Sequence, residues 1–152
     1  MVIINNQNII SNKQIERIVK ALGRDYRASK IVVYETKLDM IRFYPQCYNF
    51  SMEEFWGKLE GSYDPSSDVA YICIFAQTDD GEDLHSKQLY SLHALVHELR
   101  HRYQYVNDYL VDDDEKAEQD ADNFATRFIN NQSRRISKIM NWKDEWTVEE
   151  ID

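Results

Sequence analysis

The sequence predicts an α+β fold in which a small mixed β-sheet packs on helices. Three observations lead to this prediction. A capped amphipathic helix stands near the N-terminus, two runs rich in β-branched residues follow it, and two further helical patterns occupy the second half of the chain. With 152 residues the chain is long enough to bury a sizeable core, so we expect a single domain over residues 1–152.

The first helix is predicted from its ends and from its apolar spacing. Residues 1–10 are apolar and rich in Asn, which predicts a short strand or an arm. The segment from Ser11 to Gln14 then has the S-x-x-Q form of a capping box, and Gly23 is a typical C-terminal stop. The apolar residues between them recur at helical spacing: Ile15, Ile18, Val19 and Leu22.

Two runs of β-branched residues predict strands. The first covers Lys30–Thr36, and the second covers Asp68–Thr78 with its strongest signal over Val69–Ala76. The second run is almost continuously apolar, which favours an interior position in the sheet. Residues 37–64 hold several aromatic side chains that would fill the core or line a cleft, with a helix predicted to start at residues 51–54.

A long helix with the motif H-E-x-x-H is the centre of the second half. We expect Ser86 to cap it, and its apolar stripe is Leu89, Leu92, Val96, Leu99, Tyr103 and Val106. His97 and His101 stand at i and i+4, so both imidazoles lie on one face and can reach a single Zn²⁺. Glu98 lies at the edge of that face, where it could act as the general base for a metal-bound water.

The next helix offers a third ligand. The acidic residues 112–115 open it, as capping and the helix dipole favour. Glu118 and Asp122 again stand at i and i+4, so Glu118 could complete a His₂Glu site while Asp122 accepts the outer N–H of a ligating histidine. The small residues Ala117 and Ala121 would allow this helix to approach the first one closely.

At these positions the chain resembles the gluzincin metallopeptidases, whose pattern is H-E-x-x-H followed by E-x-x-[AS]-[DN]. The matching residues are His97, Glu98, His101, Glu118, Ala121 and Asp122. The continuation through Phe124 and Ala125 is most similar to the ImmA/IrrE group and to the small soluble minigluzincins. The chain departs from these families at Arg100, where Gly is usual, at Tyr105, where ImmA/IrrE proteins often have His, and over residues 127–130.

The resemblance implies a zincin-like fold, with one active-site helix and a second ligand-bearing helix beside the sheet. It implies one Zn²⁺ held by His97, His101 and Glu118, and hydrolysis of a peptide bond with Glu98 as the general base. An edge strand beside the active helix would pair with the extended substrate, and the strand predicted over Asp68–Thr78, or a neighbour in its sheet, is the candidate. The ImmA/IrrE resemblance also implies a regulatory, repressor-type protein as the substrate.

Several roles stay open at this stage. Tyr105 is the first candidate for the donor that stabilises the oxyanion, with Tyr109 and His93 behind it. The histidines and Glu98 could instead form a salt-bridged helix face with Arg100 and Arg102. The chain could also be a zincin-fold binding or regulatory module with little or no proteolytic activity.

Composition limits the partners and the compartment. The formal charge of −9 argues against a nucleic-acid-binding surface, and no apolar run approaches a membrane span. Cys47 and Cys73 are isolated, which is typical of free thiols in a reducing cytoplasm. We therefore expect a cytoplasmic protein with a protein or peptide substrate, ending in a short helix around Ile136–Met140 and an acidic tail at about 141–152.

Overall fold

The structure is a computed structural model that describes residues 1–5, 9–34, 61–73 and 84–145. Within these ranges the fold is mixed α/β, with one four-stranded sheet and four α-helices. Three predictions lie outside the described residues: the helix starting at residues 51–54, the aromatic cleft around it and the last residues of the acidic tail.

The sheet is mixed, as the sequence predicts. Its strands are β1 (Val2–Asn5), β2 (Lys30–Tyr34), β3 (Gly61–Asp64) and β4 (Val69–Cys73), in the spatial order β1-β2-β4-β3. The first three in that order run parallel, and β3 pairs antiparallel to β4. The interior position of β4 agrees with its apolar run. β3 was not predicted, because its sequence Gly-Ser-Tyr-Asp carries no β-branched run.

The first helix confirms its predicted caps. Helix α1 covers Asn12–Leu22, and Ser11 accepts a hydrogen bond from the Gln14 backbone while the Gln14 side chain accepts one from Ser11. Gly23 has φ +113°, a backbone conformation that residues with a side chain rarely adopt, and the helix ends there. A 3₁₀ turn at Arg24–Tyr26 follows and buries Tyr26 in the core.

The long helix, α2 (Leu84–Val106), packs on β3 and β4 and against the next helix, α3 (Asp114–Asn131). The prediction that Ser86 caps α2 is wrong, since the helix begins two residues earlier. Residues 94–99 of α2 are buried on every side, so the core contact is wider than one stripe. Val106, the last residue of the helix, is 46% exposed and does not belong to the core stripe.

Asp113 caps the N-terminus of helix α3, and its side chain accepts a hydrogen bond from the Lys116 backbone. Its buried face is small, as predicted, and consists of Ala117, Ala121, Ala125 and Ile129. Helix α4 covers Ser133–Met140, and Trp142 after it is buried and donates to the Gln88 side chain at 2.7 Å. The first residues of the predicted tail therefore contribute to the core. Among the described residues, no helix has the length and apolar character to cross a membrane.

Candidate metal centre

Helices α2 and α3 run antiparallel and place three polar pairs opposite one another. His93 Nε2 lies 3.1 Å from the Thr126 hydroxyl, His97 Nδ1 lies 2.7 Å from Asp122, and His101 Nε2 lies 2.9 Å from Glu118. Residue numbers rise by four on α2 while they fall by four on α3, which is the spacing of one face on each helix. We refer to these three pairs as the histidine ladder.

Three side chains that can ligate a metal converge at the end of the histidine ladder that holds His97 and His101. His97 Nε2 lies 3.0 Å from Glu118 Oε2, His101 Nε2 lies 2.9 Å from Glu118 Oε1, and the two Nε2 atoms are 3.1 Å apart. Glu98 is buried beside them, with Oε1 3.8 Å from His97 Nε2. The side chains of His97, Glu98 and His101 each offer one atom within 4.8 Å of the others, so this group could hold a metal ion.

The outer nitrogens of both histidines have their own acceptors. Asp122 accepts from His97 Nδ1 at 2.7 Å, as the sequence predicts. His101 Nδ1 lies 2.8 Å from Gln104 Oε1, a partner that sequence reasoning missed. Gln104 stands at i+3 from His101, so helical spacing was the signal that could have identified it. These contacts leave both Nε2 atoms turned towards Glu118.

The charges around the centre favour imidazolium in the metal-free protein. Burial disfavours protonation of His97, but hydrogen bonds to Asp122 and Glu118 outweigh it and raise the pKa to about 10. Burial likewise opposes protonation of His101, yet the hydrogen bond to Glu118 holds its pKa above the ordinary value. Hydrogen bonds from His101 and His97 hold the pKa of the Glu118 carboxyl well below its usual range. The site is therefore built around carboxylate-paired imidazoles.

The two arginines of the motif region bind elsewhere. Arg100 donates to Asp120, and Arg102 donates to Asp68, at 2.8 and 2.9 Å respectively. The alternative prediction, a salt-bridged helix face in which these arginines pair with His97, Glu98 and His101, is therefore wrong for the two arginines. Both ion pairs instead connect α2 to its neighbours, α3 in one case and the turn before β4 in the other.

The other predicted site residues lie along α2 and just beyond its C-terminal end. Tyr105 is 54% exposed, one turn beyond His101, and its role as oxyanion donor stays a prediction. Tyr109 lies past the end of the helix and packs edge-on against Tyr103, on the side of Arg100. His93 is hydrogen-bonded to Thr126 in the pair of the histidine ladder farthest from His101, and burial lowers the pKa of His93.

Gly61 at the start of β3 touches the side chain of Glu98. A Cβ atom built at this position would collide with the Tyr71 carbonyl oxygen and lie 2.8 Å from Glu98 Cγ. This contact could not be predicted from the sequence, because Gly61 is distant from Glu98 along the chain and the strand itself was not predicted. The absence of a side chain at Gly61 therefore makes room for both the strand pairing and Glu98.

We expect Gly61→Ala to destabilise the protein by about 1–3 kcal/mol, because the added methyl would overpack the space between the Tyr71 backbone and the Glu98 side chain. Urea unfolding of the metal-free protein measures this directly. Gly23→Ala provides a contrast, since no atom lies within 4 Å of a Cβ there and its cost would come only from the positive φ. An unchanged free energy of unfolding in Gly61→Ala would show that β3 does not lie against Glu98.

Comparisons with protein-family models, with curated proteins and with solved structures give no significant match in any of the three. The resemblance to the gluzincin peptidases and the zincin-like fold therefore stay predictions from the motif residues. The geometry stands independently of that resemblance: two crossing helices bring His97, His101 and Glu118 within hydrogen-bond distance of one another, with Glu98 adjacent.

Proposed function

We propose that the protein is a zinc-dependent metallopeptidase that hydrolyses peptide bonds of a protein or peptide substrate. The observation that carries this proposal is the triangle formed by His97 Nε2, His101 Nε2 and the Glu118 carboxylate, with sides of 2.9 to 3.1 Å. Ligands 2.0–2.1 Å from a tetrahedral Zn²⁺ would be about 3.3 Å apart. Two histidines and one glutamate also form a donor set of catalytic zinc sites that leaves one position open.

The protonation pattern of the histidines supports a cation at this point. Asp122 and Gln104 accept from the two Nδ1 atoms, so a neutral His97 and a neutral His101 both present Nε2 lone pairs. Two Nε2 lone pairs 3.1 Å apart repel each other unless a proton or a metal ion lies between them, and a metal ion can accept both lone pairs at once. Imidazole nitrogens suit zinc and other transition metals, whereas Ca²⁺ and Mg²⁺ prefer oxygen ligands.

The chain's own groups account for the steps of peptide hydrolysis. His97, His101 and Glu118 would hold Zn²⁺, which when bound would supply a Lewis acid for the scissile carbonyl and for water. The Glu98 carboxylate accepts the proton of the attacking water and delivers it to the leaving nitrogen. His97 and His101 keep their orientation through Asp122 and Gln104 while the reaction proceeds.

The sheet offers a place for an extended substrate. Within the described residues β3 is an edge strand, and Gly61 at its start touches Glu98. A peptide that adds to this edge would pair through its backbone and pass beside the general base. The net charge of −9 favours a basic segment, and the ImmA/IrrE resemblance suggests a regulatory protein as the source of that segment.

The test is metal analysis of the purified protein followed by cleavage of a peptide library. We expect one zinc per chain, cleavage detected by mass spectrometry, loss of cleavage with a chelator and recovery when Zn²⁺ is restored. Stoichiometric zinc without cleavage of any peptide would favour a binding or regulatory module instead. A protein that binds no divalent ion would refute the proposal.

Zinc binding should release protons at neutral pH. Metal-free His97 has a pKa of about 10 and is therefore protonated at pH 7, while the metal requires its neutral form. The proton competes with the ion below that pKa, so affinity should rise as the pH is raised from 6 towards 9. Calorimetry in buffers of different ionisation enthalpy should show at least one proton released per Zn²⁺. Affinity that does not change with pH would contradict this assignment.

A further inference from the structure

Gln104 is a buried polar side chain next to the candidate metal centre. It is 4% exposed, and each end of its amide has a partner. Its Oε1 lies 2.8 Å from His101 Nδ1, and its Nε2 donates to the Ala117 carbonyl and to Asp120 Oδ2, both at 2.9 Å. The amide therefore connects a histidine of α2 to the backbone and a carboxylate of α3.

These partners fix which way the amide points. The Ala117 carbonyl and the Asp120 carboxylate only accept, so the NH₂ group must face them and Oε1 must face His101. In the reverse orientation the Gln104 oxygen would face two acceptors without a proton between them, in a buried place where an unmade hydrogen bond is costly. His101 must then donate from Nδ1.

Asp120 is itself held in a fixed position. Arg100 donates to both of its oxygens, from Nε at 2.8 Å and from Nη2 at 3.3 Å. The same guanidinium donates to the Tyr26 hydroxyl and lies over the rings of Tyr103 and Phe124, 4.1 and 4.3 Å from their centroids. A planar group that is hydrogen-bonded along its edge and packed against two aromatic rings has little freedom to move.

We propose that Gln104 is a positioning residue that selects the Nδ1–H tautomer of His101 and thereby keeps Nε2 available as a ligand. Asp120 and the Ala117 carbonyl set the amide, and Arg100 sets Asp120. The assignment rests on the proposed metal site, since the tautomer matters because Nε2 is the nitrogen that faces Glu118. No contact between Gln104 and a substrate is required.

The test compares two glutamines of the same helix. Gln104→Met keeps the volume of the side chain and removes the amide. Gln88→Met makes the same change at a similarly buried residue, whose amide bonds Ile9 and Trp142 and not the ladder. We expect a 10–100-fold loss of Zn²⁺ affinity in Gln104→Met, as is typical for loss of an orienting partner, and affinity within about twofold in Gln88→Met. Competition with a chromophoric chelator measures both.

The tautomer is read separately by ¹⁵N NMR of the metal-free Glu118→Ala variant, because the Glu118 carboxylate 2.9 Å from Nε2 would compete with Gln104 for the His101 proton. On the alkaline side of the His101 titration we expect protonation at Nδ1 in this variant and a mixture when Gln104→Met is added to it. Protonation at Nε2 in Glu118→Ala, or no change in tautomer and in wild-type Zn²⁺ affinity on Gln104→Met, would overturn the assignment. If the wild type binds no Zn²⁺, the proposed function fails, yet the tautomer still decides the role of Gln104.

Discussion

Substitution of Glu98 by glutamine should reduce peptide hydrolysis by about 10²–10⁴-fold, the contribution usual for a general acid–base group. Glutamine has nearly the same shape but cannot accept the proton of an attacking water. The proposed metal ligands are His97, His101 and Glu118, whose nitrogen and carboxylate oxygen atoms lie 2.9 to 3.1 Å apart, so bound zinc should remain at one ion per chain. Initial rates on a peptide cleaved by the wild type, together with metal analysis, measure both quantities.

Glu115→Gln is the control, because Glu115 is an exposed residue in the first turn of α3. Its rate and zinc content should equal those of the wild type. Glu98 lies close enough to the histidines to compete with Glu118 as a ligand. Loss of zinc in Glu98→Gln would therefore reassign Glu98 from base to ligand, and full activity would remove it from the mechanism.

Substitution of Glu118 by alanine should weaken Zn²⁺ binding by more than about 100-fold, which exceeds the effect expected of an orienting partner. The variant removes the only negatively charged member of the donor triangle and its contacts with both Nε2 atoms. Competition with a chelator gives the affinity, and cleavage should fall in parallel at limiting zinc.

Asp122→Ala is the graded comparison for Glu118→Ala. Asp122 contacts the outer nitrogen of His97 and not the metal-facing one, so its loss should cost only about 10–100-fold in affinity. Wild-type affinity in Glu118→Ala would mean that the third ligand comes from another residue. A larger loss in Asp122→Ala than in Glu118→Ala would reverse the roles of the two carboxylates.

The sequence was sufficient to predict the elements whose ends are determined by neighbouring residues in the chain. The Ser11 to Gln14 capping box and the glycine at residue 23 mark both ends of α1. Strand β3 could not be predicted, because Gly61–Asp64 becomes a strand only by pairing with β4, which is a tertiary effect. The start of α2 was misplaced at Ser86 because a serine before an apolar stripe does not by itself determine where a helix begins.

The candidate site divides in the same way. Helical spacing alone places His97 beside His101 and Glu118 beside Asp122, since i and i+4 share a face. Gln104 and Gly61 depend on contacts between elements, so no pattern in the sequence reveals what they touch. The partners of Arg100 belong to the same class, because Asp120 is one of many acidic residues that could have paired with it.

The spacing of the histidine ladder raises the question of what prevents α2 and α3 from sliding past each other. The three pairs recur every four residues, so a shift by one turn would again bring histidines opposite carboxylates, with His93 near Asp122 and His97 near Glu118. The repeat alone would therefore tolerate more than one alignment.

The pair between Arg100 and Asp120 removes this degeneracy because it does not follow the repeat. The same one-turn shift would bring Arg100 opposite Lys116 and would place the Asp120 carboxylate against the apolar side chain of Val96. A partly buried ion pair separated in this way costs about 3–5 kcal/mol. The Arg100–Asp120 pair thus determines how α2 and α3 align, and it favours the alignment in which Glu118 reaches both metal-facing nitrogens.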